Sequence, residues 1–405
     1  MKLSRRQFMR TTTLGSISLA IPRLLRAEPP RKNTDDIIIS IFLRGAADGL
    51  NIIPPWGDPD YRQLRPTLAI PDPGEEGGAL PLDDMFGLHP GMKSLLPLYE
   101  AGDLAIIHAC GSPSPSHSHF QAQDLMERGL ESTTQEYRGW LGRYLDYHRD
   151  DSFTVFHAVA MGLATPRTLV HQAPTISMSG IEEFSLKLPE TEEDKIRELL
   201  LAFHEGDRPL DIASRETLSA VDELARANPL QYAPENGAEY PDTEFGHQMR
   251  TLGQLIRADL GLRAGSVNLG GWDTHEGEAT TLDKLVPELS DTLAAFHRDM
   301  GDRMSGITLV VMTEFGRRAY ENGSAGTDHG HAGFMMVLGK NVNGGRVFHD
   351  WPGLKKTDLY GAGDLQVTMD YRNVLGELIS KRTNGMPMDL LFPDFRETSH
   401  SGIFR

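Results

Sequence analysis

Apolar residues in this chain are clumped into short, dense runs separated by polar loops. Ile37 to Leu43 reads Ile-Ile-Ile-Ser-Ile-Phe-Leu, which is too uniformly apolar for a strand with one wet face. It predicts a strand buried on both faces, followed at Arg44-Gly45 by a small-residue loop to Gly49. After a loop rich in Pro, Gly and acidic residues, Met92 to Ala101 has helical spacing and Leu104 to Ala109 is a second buried strand. Ser112 to Ser118 alternates Ser with Pro or His, and Phe120 to Arg128 then predicts a helix with Ser118 or a neighbour as its N-cap. Strand-like runs follow at Thr154 to Ala160 and Thr175 to Met178.

The pattern turns helical from about Glu190 to Gly261, with helices predicted over Glu192–His204, Asp211–Arg226 and Thr243–Leu260 around a Pro/Asn/Gly loop, Asn228 to Asp242. This stretch, about 190–262, reads as a helical insertion in one domain spanning 35–400. Alternation then resumes: strand Ser266–Leu269, a long helix from Thr280 to about Met300, strands Ile307–Met312 and Phe334–Leu338, and a helix over Tyr371–Arg382. Strands alternating with helices predict an α/β fold, a mostly parallel sheet flanked by helices on both faces.

The first 27 residues stand apart from this pattern. Ser4-Arg5-Arg6-Gln7-Phe8-Met9-Arg10 precedes an apolar stretch, Leu14 to Ile21, shorter than the roughly 20 residues a bilayer span needs. A paired arginine ahead of a Phe and a short apolar run reads as a twin-arginine export signal, with cleavage after Ala20 or Ala27. The reading predicts a partner, the twin-arginine translocase, and a mature protein that is periplasmic or extracellular, soluble or membrane-associated. Such a route suits a chain that acquires metal or cofactor before export.

Charge and cysteine content narrow the chemistry. The whole chain carries −17, and the leader holds six basic residues and no acidic ones, so the remainder has 34 basic against 57 acidic groups. Such a surface repels nucleic acid, and no nucleic-acid partner is expected. Cys110 is the only cysteine, which excludes an internal disulfide and any Cys-based zinc or iron–sulfur site. A metal here needs His and carboxylate ligands.

Those residue types gather after the predicted strands, where open α/β sheets bind their ligands. Asp48 follows the first strand. Asp273 and His275 follow Gly270-Gly271-Trp272, two apart, so an extended backbone points both to the same side. His329 and His331 repeat that spacing among glycines, and Glu314 directly follows an apolar strand. Each has a plainer role open to it: Asp48 as a turn residue, Asp273 as a helix cap, Glu314 as a partner for Arg317 or Arg318. Ser118, at a helix start where backbone N–H groups favour an anion, is the candidate nucleophile or an ordinary N-cap.

Leu43-Arg44-Gly45-Ala46-Ala47-Asp48-Gly49-Leu50-Asn51, Ser118-His119-Phe120 with Gln123, Gly270 to His275, Thr313 to Arg317, and Gly326 to His331 come in an order that resembles a bacterial family of twin-arginine-exported proteins, domain-of-unknown-function family 1501. That family is in turn distantly similar to the alkaline phosphatase and sulfatase superfamily. The resemblance implies a metal-dependent hydrolase acting on a small or polymeric anionic substrate, a phosphate or sulfate ester. It places a metal Asp on Asp48, the nucleophile near Ser118, a ligand pair on Asp273 and His275, and a last ligand on His329 or His331, around one or two divalent ions (Zn, Mn or Ca). Two departures are visible. Phe315 stands where the superfamily has a His, and no Cys-x-Pro-x-Arg sulfatase pattern occurs near Ser112 to Ser118. The alternative is a non-catalytic exported protein of the same fold that binds metal or an envelope polymer.

Overall fold

The computed structural model describes residues 36–405 apart from 133–134, 151–152, 183, 185–189, 383–385 and 396–400. The leader segment lies outside the described residues. Among the described residues eleven strands are formed: β1 (Ile37–Leu43), β2 (Leu80–Pro81), β3 (Gly87–Leu88), β4 (Leu104–Gly111), β5 (Ala158–Met161), β6 (Ile176–Met178), β7 (Ala264–Leu269), β8 (Ile307–Thr313), β9 (Gly333–Leu338), β10 (Arg346–Phe348) and β11 (Met369–Asp370). Apart from the small β2–β3 ribbon they build one nine-stranded sheet in the order β10-β4-β9-β8-β1-β7-β5-β6, with β11 also beside β4.

β1 lies inside the sheet and pairs in parallel with β7 and β8, Ile38 facing Ala264 on one side and Thr308 on the other. Its alternating side chains serve two cores. Ile39, Ile41 and Leu43 pack in the core that includes Leu252, Val286 and Leu293 of the helices Glu244–Arg257 and Glu278–Met300. Ile38 and Phe42 enter the core that includes Trp140, Leu145, Leu375 and Leu378 of the helices Trp140–His148 and Tyr371–Arg382. Helices on both faces explain why β1 is apolar at nearly every position. Each such side chain contributes roughly 1.5–3 kcal/mol by leaving water.

The predicted helical insertion forms Glu190–Phe203, Pro209–Ala227 and Glu244–Arg257, and Ala220, Val221 and Leu224 join the first core. Three local expectations change. The helix expected over Met92–Ala101 is split into a 3-10 turn, Pro90–Met92, and a short helix, Leu96–Glu100, because Pro97 can sit only in a first turn. The strand expected from Thr154 begins only at Ala158, after a turn in which the His157 N–H donates to the Thr154 carbonyl. The helix Trp140–His148 was not expected, although Trp140, Leu141, Tyr144 and Leu145 give it an apolar face. Among the described residues no helix is long and apolar enough to cross a membrane.

One strand runs against the rest. β9 is antiparallel to both β4 and β8, so it enters the sheet at the edge where β1, β4, β7 and β8 end. The segment 314–332 therefore leaves and rejoins the same edge, facing the loops that follow β1, β4 and β7.

Candidate metal centre

Close backbone approach sets the frame of this edge. Gly45 adopts φ +118°, and a Cβ there would lie 2.5 Å from the backbone nitrogen of Asp273. Only glycine lets the loop after β1 rest on the loop after β7. Gly316 has a similar duty, since a Cβ would meet the Ala332 carbonyl oxygen at 1.8 Å. Thr313, at the end of β8, accepts from the Ala47 N–H at 3.0 Å and donates to the Leu43 carbonyl at 3.0 Å, tying β1 to β8. The buried Arg317 guanidinium donates to the carbonyls of Gly45, Ala46, Trp272 and Thr327 and to Asp273 Oδ1 at 2.7 Å. It locks three loops to one another.

On this frame three imidazoles converge on Asp273. His119 Nε2 lies 3.4 Å from Asp273 Oδ2, while His275 Nε2 and His329 Nε2 each lie 3.2 Å from Oδ1. His275 Nε2 and His329 Nε2 are 3.0 Å apart. The His119, Asp273 and His329 ligand atoms all fall within 4.8 Å of one another, a spacing that can hold a metal ion.

The opposite nitrogen of each ring decides its tautomer. His119 Nδ1 faces Glu314 Oε1 at 2.8 Å, His275 Nδ1 faces Asp328 Oδ1 at 3.2 Å, and His329 Nδ1 faces the His117 carbonyl at 3.1 Å. Those oxygens accept hydrogen bonds and give none, so each Nδ1 carries the hydrogen and each Nε2 offers a lone pair. Ligating histidines backed in this way are the usual outer arrangement of a metal site. The buried His119 Nε2 has no hydrogen-bond partner among the described residues, although it points toward the Asp273 carboxylate. A carboxylate ringed by imidazole nitrogens has the donor set to hold a cation, and the residues fit one.

Local electrostatics agree. Burial works against the Asp273 charge, but the hydrogen bond and the charge of Arg317 hold its carboxyl down at about 2. Glu314 is also kept ionised, where burial is outweighed by the bonds from His119 and Gln123. The Glu314 bond in turn raises His119 above the ordinary histidine value, whereas burial lowers His329. Gln123, one turn after His119 on the helix His119–Arg128, and the Gly45 N–H complete the Glu314 shell at 2.8 and 2.9 Å.

The cluster thus joins Asp273, His275 and His329 with Glu314 behind them, and leaves two expected residues outside. Asp48 is buried in an ion pair with Arg65, its N-cap carboxylate turned away to the guanidinium. His331 is buried against Tyr360, ring centroids 4.7 Å apart, and burial together with nearby His117 lowers it to about 4. Ser118 is exposed at the start of its helix, and its hydroxyl makes no capping bond. Phe315, noted for replacing a histidine, is buried beside the cluster: it stacks on His119 at 5.1 Å and meets His329 at 5.0 Å. Sequence reasoning carries His119 only within the Ser118-His119-Phe120 motif and does not assign it as a ligand. Its signal was the four-residue spacing to Gln123, which puts both side chains on one helix face.

The fold and this edge define an α/β protein with a three-histidine, one-carboxylate cluster at the carboxyl ends of a mostly parallel sheet. Its sequence matches over residues 35–386 the family described as "Protein of unknown function (DUF1501)", and the chain belongs to that family. No curated protein matches the chain.

Proposed function

We propose that the cluster of His119, Asp273, His275 and His329 binds one divalent cation, zinc before manganese or calcium, and that the protein uses it to hydrolyse phosphate or sulfate esters after export by the twin-arginine route. The observation that carries the reading is the convergence of three Nδ1-anchored imidazoles on one carboxylate. Three nitrogens and one oxygen suit zinc, whereas calcium prefers an all-oxygen shell. A bound cation would polarise an ester oxygen and offset charge developing there. Glu314, Asp328 and the His117 carbonyl hold the imidazoles in the ligating tautomer. Ser118 supports the hydrolase half: it adjoins His119, it begins a ten-residue helix whose first N–H groups favour an anion, and its hydroxyl is free of capping duty.

The test starts with metal analysis of native protein purified without chelators. About one equivalent is expected, lost in His119→Ala and His275→Ala along with melting temperature. His247→Ala, at a histidine with 59% of its side chain exposed, should change neither. Turnover of phosphate or sulfate esters, with a phosphoryl or sulfuryl adduct on Ser118, completes the case. Metal without turnover or adduct makes the protein a binding protein, and metal well below one equivalent removes the centre altogether.

A further inference from the structure

His119 differs from its three companions in where it comes from. Asp273 and His275 sit in the loop after β7 and His329 in the loop before β9, whereas His119 opens the helix His119–Arg128. Packing does little to fix that opening turn. Phe120 is 89% exposed, Gln121 is exposed too, and the buried side chain of the turn, Ala122, is small and clusters with Ala46 and Phe315. The larger apolar anchors, Leu125 and Met126, lie further along the helix. Polar bonds must therefore set the helix start, and they run through Arg44.

The main chain of Arg44 is fixed to the Asp273 side of the cluster. Its N–H donates to the Leu269 carbonyl at 2.8 Å, and its carbonyl accepts from the Trp272 N–H at 3.2 Å. Asp273 is the next residue. The guanidinium, lying over the Phe42 ring, reaches the helix. Its Nε donates to Asn268 Oδ1 at 2.8 Å, Nη1 to Gln123 Oε1 at 3.2 Å and Nη2 to Glu127 Oε1 at 2.7 Å. Gln123 and Glu127 are one turn apart on the same helix face, so one planar fork grips both. Held by its oxygen, the Gln123 amide turns its nitrogen to Glu314 Oε1, the oxygen that faces His119 Nδ1 at 2.8 Å. Glu127 is itself buried and accepts from Thr168 Oγ1 at 3.3 Å. We infer that Arg44 is a positioning residue for the metal centre: it sets His119 against Asp273 by tying the end of β7 to the helix that carries His119. This rests on the proposed metal-binding role of those two residues.

Arg44→Lys tests the tie, because an ammonium on a flexible stem keeps a charge beside Glu127 but cannot span Asn268, Gln123 and Glu127 together. Zinc affinity, read by competition with a chelator, should fall about tenfold, the low end for changes behind a ligand. In a His119→Ala background, titrated at higher zinc because that protein holds the ion weakly, the same substitution should change affinity no further. In metal-free protein, amide hydrogen exchange across His119–Arg128 should quicken in Arg44→Lys while β1 and β7 keep their protection. Wild-type zinc affinity in Arg44→Lys overturns the inference. An equal loss in both backgrounds also overturns it, since Arg44 would then support the fold and not His119. If wild type binds no zinc, the metal centre is refuted, and the metal-free arm separates that from a missing tie: faster exchange keeps the tie, unchanged exchange removes it. Should Arg44→Lys fail to fold for want of a full partner for Glu127, Arg44→Met combined with Glu127→Gln removes both charges at once and should show the same loss.

Discussion

Replacing Glu314 with Gln tests whether the outer shell, and not the ligands alone, makes the metal centre. Oε1 of Glu314 accepts from His119 Nδ1, Gln123 Nε2 and the Gly45 N–H at 2.8, 2.8 and 2.9 Å, and Oε2 lies 3.1 Å from Thr313 Oγ1. A Gln carbonyl can keep the first three bonds, and its amide can turn to Thr313, whose hydroxyl still donates to Leu43. The shape survives and the charge does not. Hydrogen bonds to a charged group are worth roughly 1.5–3 kcal/mol against about 0.5–1.5 for neutral ones, so His119 loses about 1 kcal/mol of support. Outer-shell changes of this kind lower metal affinity about 10- to 100-fold, or roughly 1.4–2.7 kcal/mol. Competition of zinc against a chromogenic chelator measures it, with metal-free melting as the check on folding. Wild-type affinity in Glu314→Gln, with His119→Ala equally unaffected, would show that His119 is no ligand and that its contact with Glu314 only packs the helix.

Four other outcomes follow from the same geometry. Ser118→Ala should abolish ester turnover and leave thermal stability unchanged, because the hydroxyl makes no cap bond whose loss would remove about 0.5–2 kcal/mol. Gly316→Ala should destabilise by at least ~3 kcal/mol in denaturant unfolding, since both clashing groups are backbone. Arg317→Met should cost about 3–5 kcal/mol and the bound metal, as Asp273 and four carbonyls lose their shared donor. Exchanging Arg5 and Arg6 together for Lys should hold the precursor in the cytoplasm on fractionation, because an ammonium lacks the planar fork of a guanidinium.

The sheet was legible because strands buried on both faces write an apolar run that little else imitates, as at Ile37–Leu43 and Ile307–Thr313. The direction of β9 was not, since Phe334–Leu338 is equally apolar either way up. Its reversal comes from the backbone contact of Gly316 with Ala332 and from pairing on both sides. Of the centre, Asp273, His275 and His329 could be found from spacing at strand ends. His119 was obscured by its neighbour Ser118, the more familiar residue at a helix start. Asp48 misled because its partner, Arg65, is a fully buried guanidinium in a loop, a placement that arginine's usual exposure argues against. Phe315 was read as a missing ligand, and only its rings' neighbours show it as the wall behind two histidines.

The place of β1 in the sheet has a bearing on how the protein is made. Among the described strands it is the first to leave the ribosome, yet its two hydrogen-bonding neighbours, β7 and β8, are among the later ones. Until they emerge, a seven-residue strand with six apolar side chains has an unpaired edge on each side, a state exposed to aggregation and slow to resolve. The segment carrying His329 arrives later still, just ahead of β9. A nascent chain therefore cannot assemble the four-residue cluster piecemeal, and an ion held there would mark a molecule whose sheet is already closed. Any cellular checkpoint that senses the occupied centre would be inspecting the entire fold through four side chains.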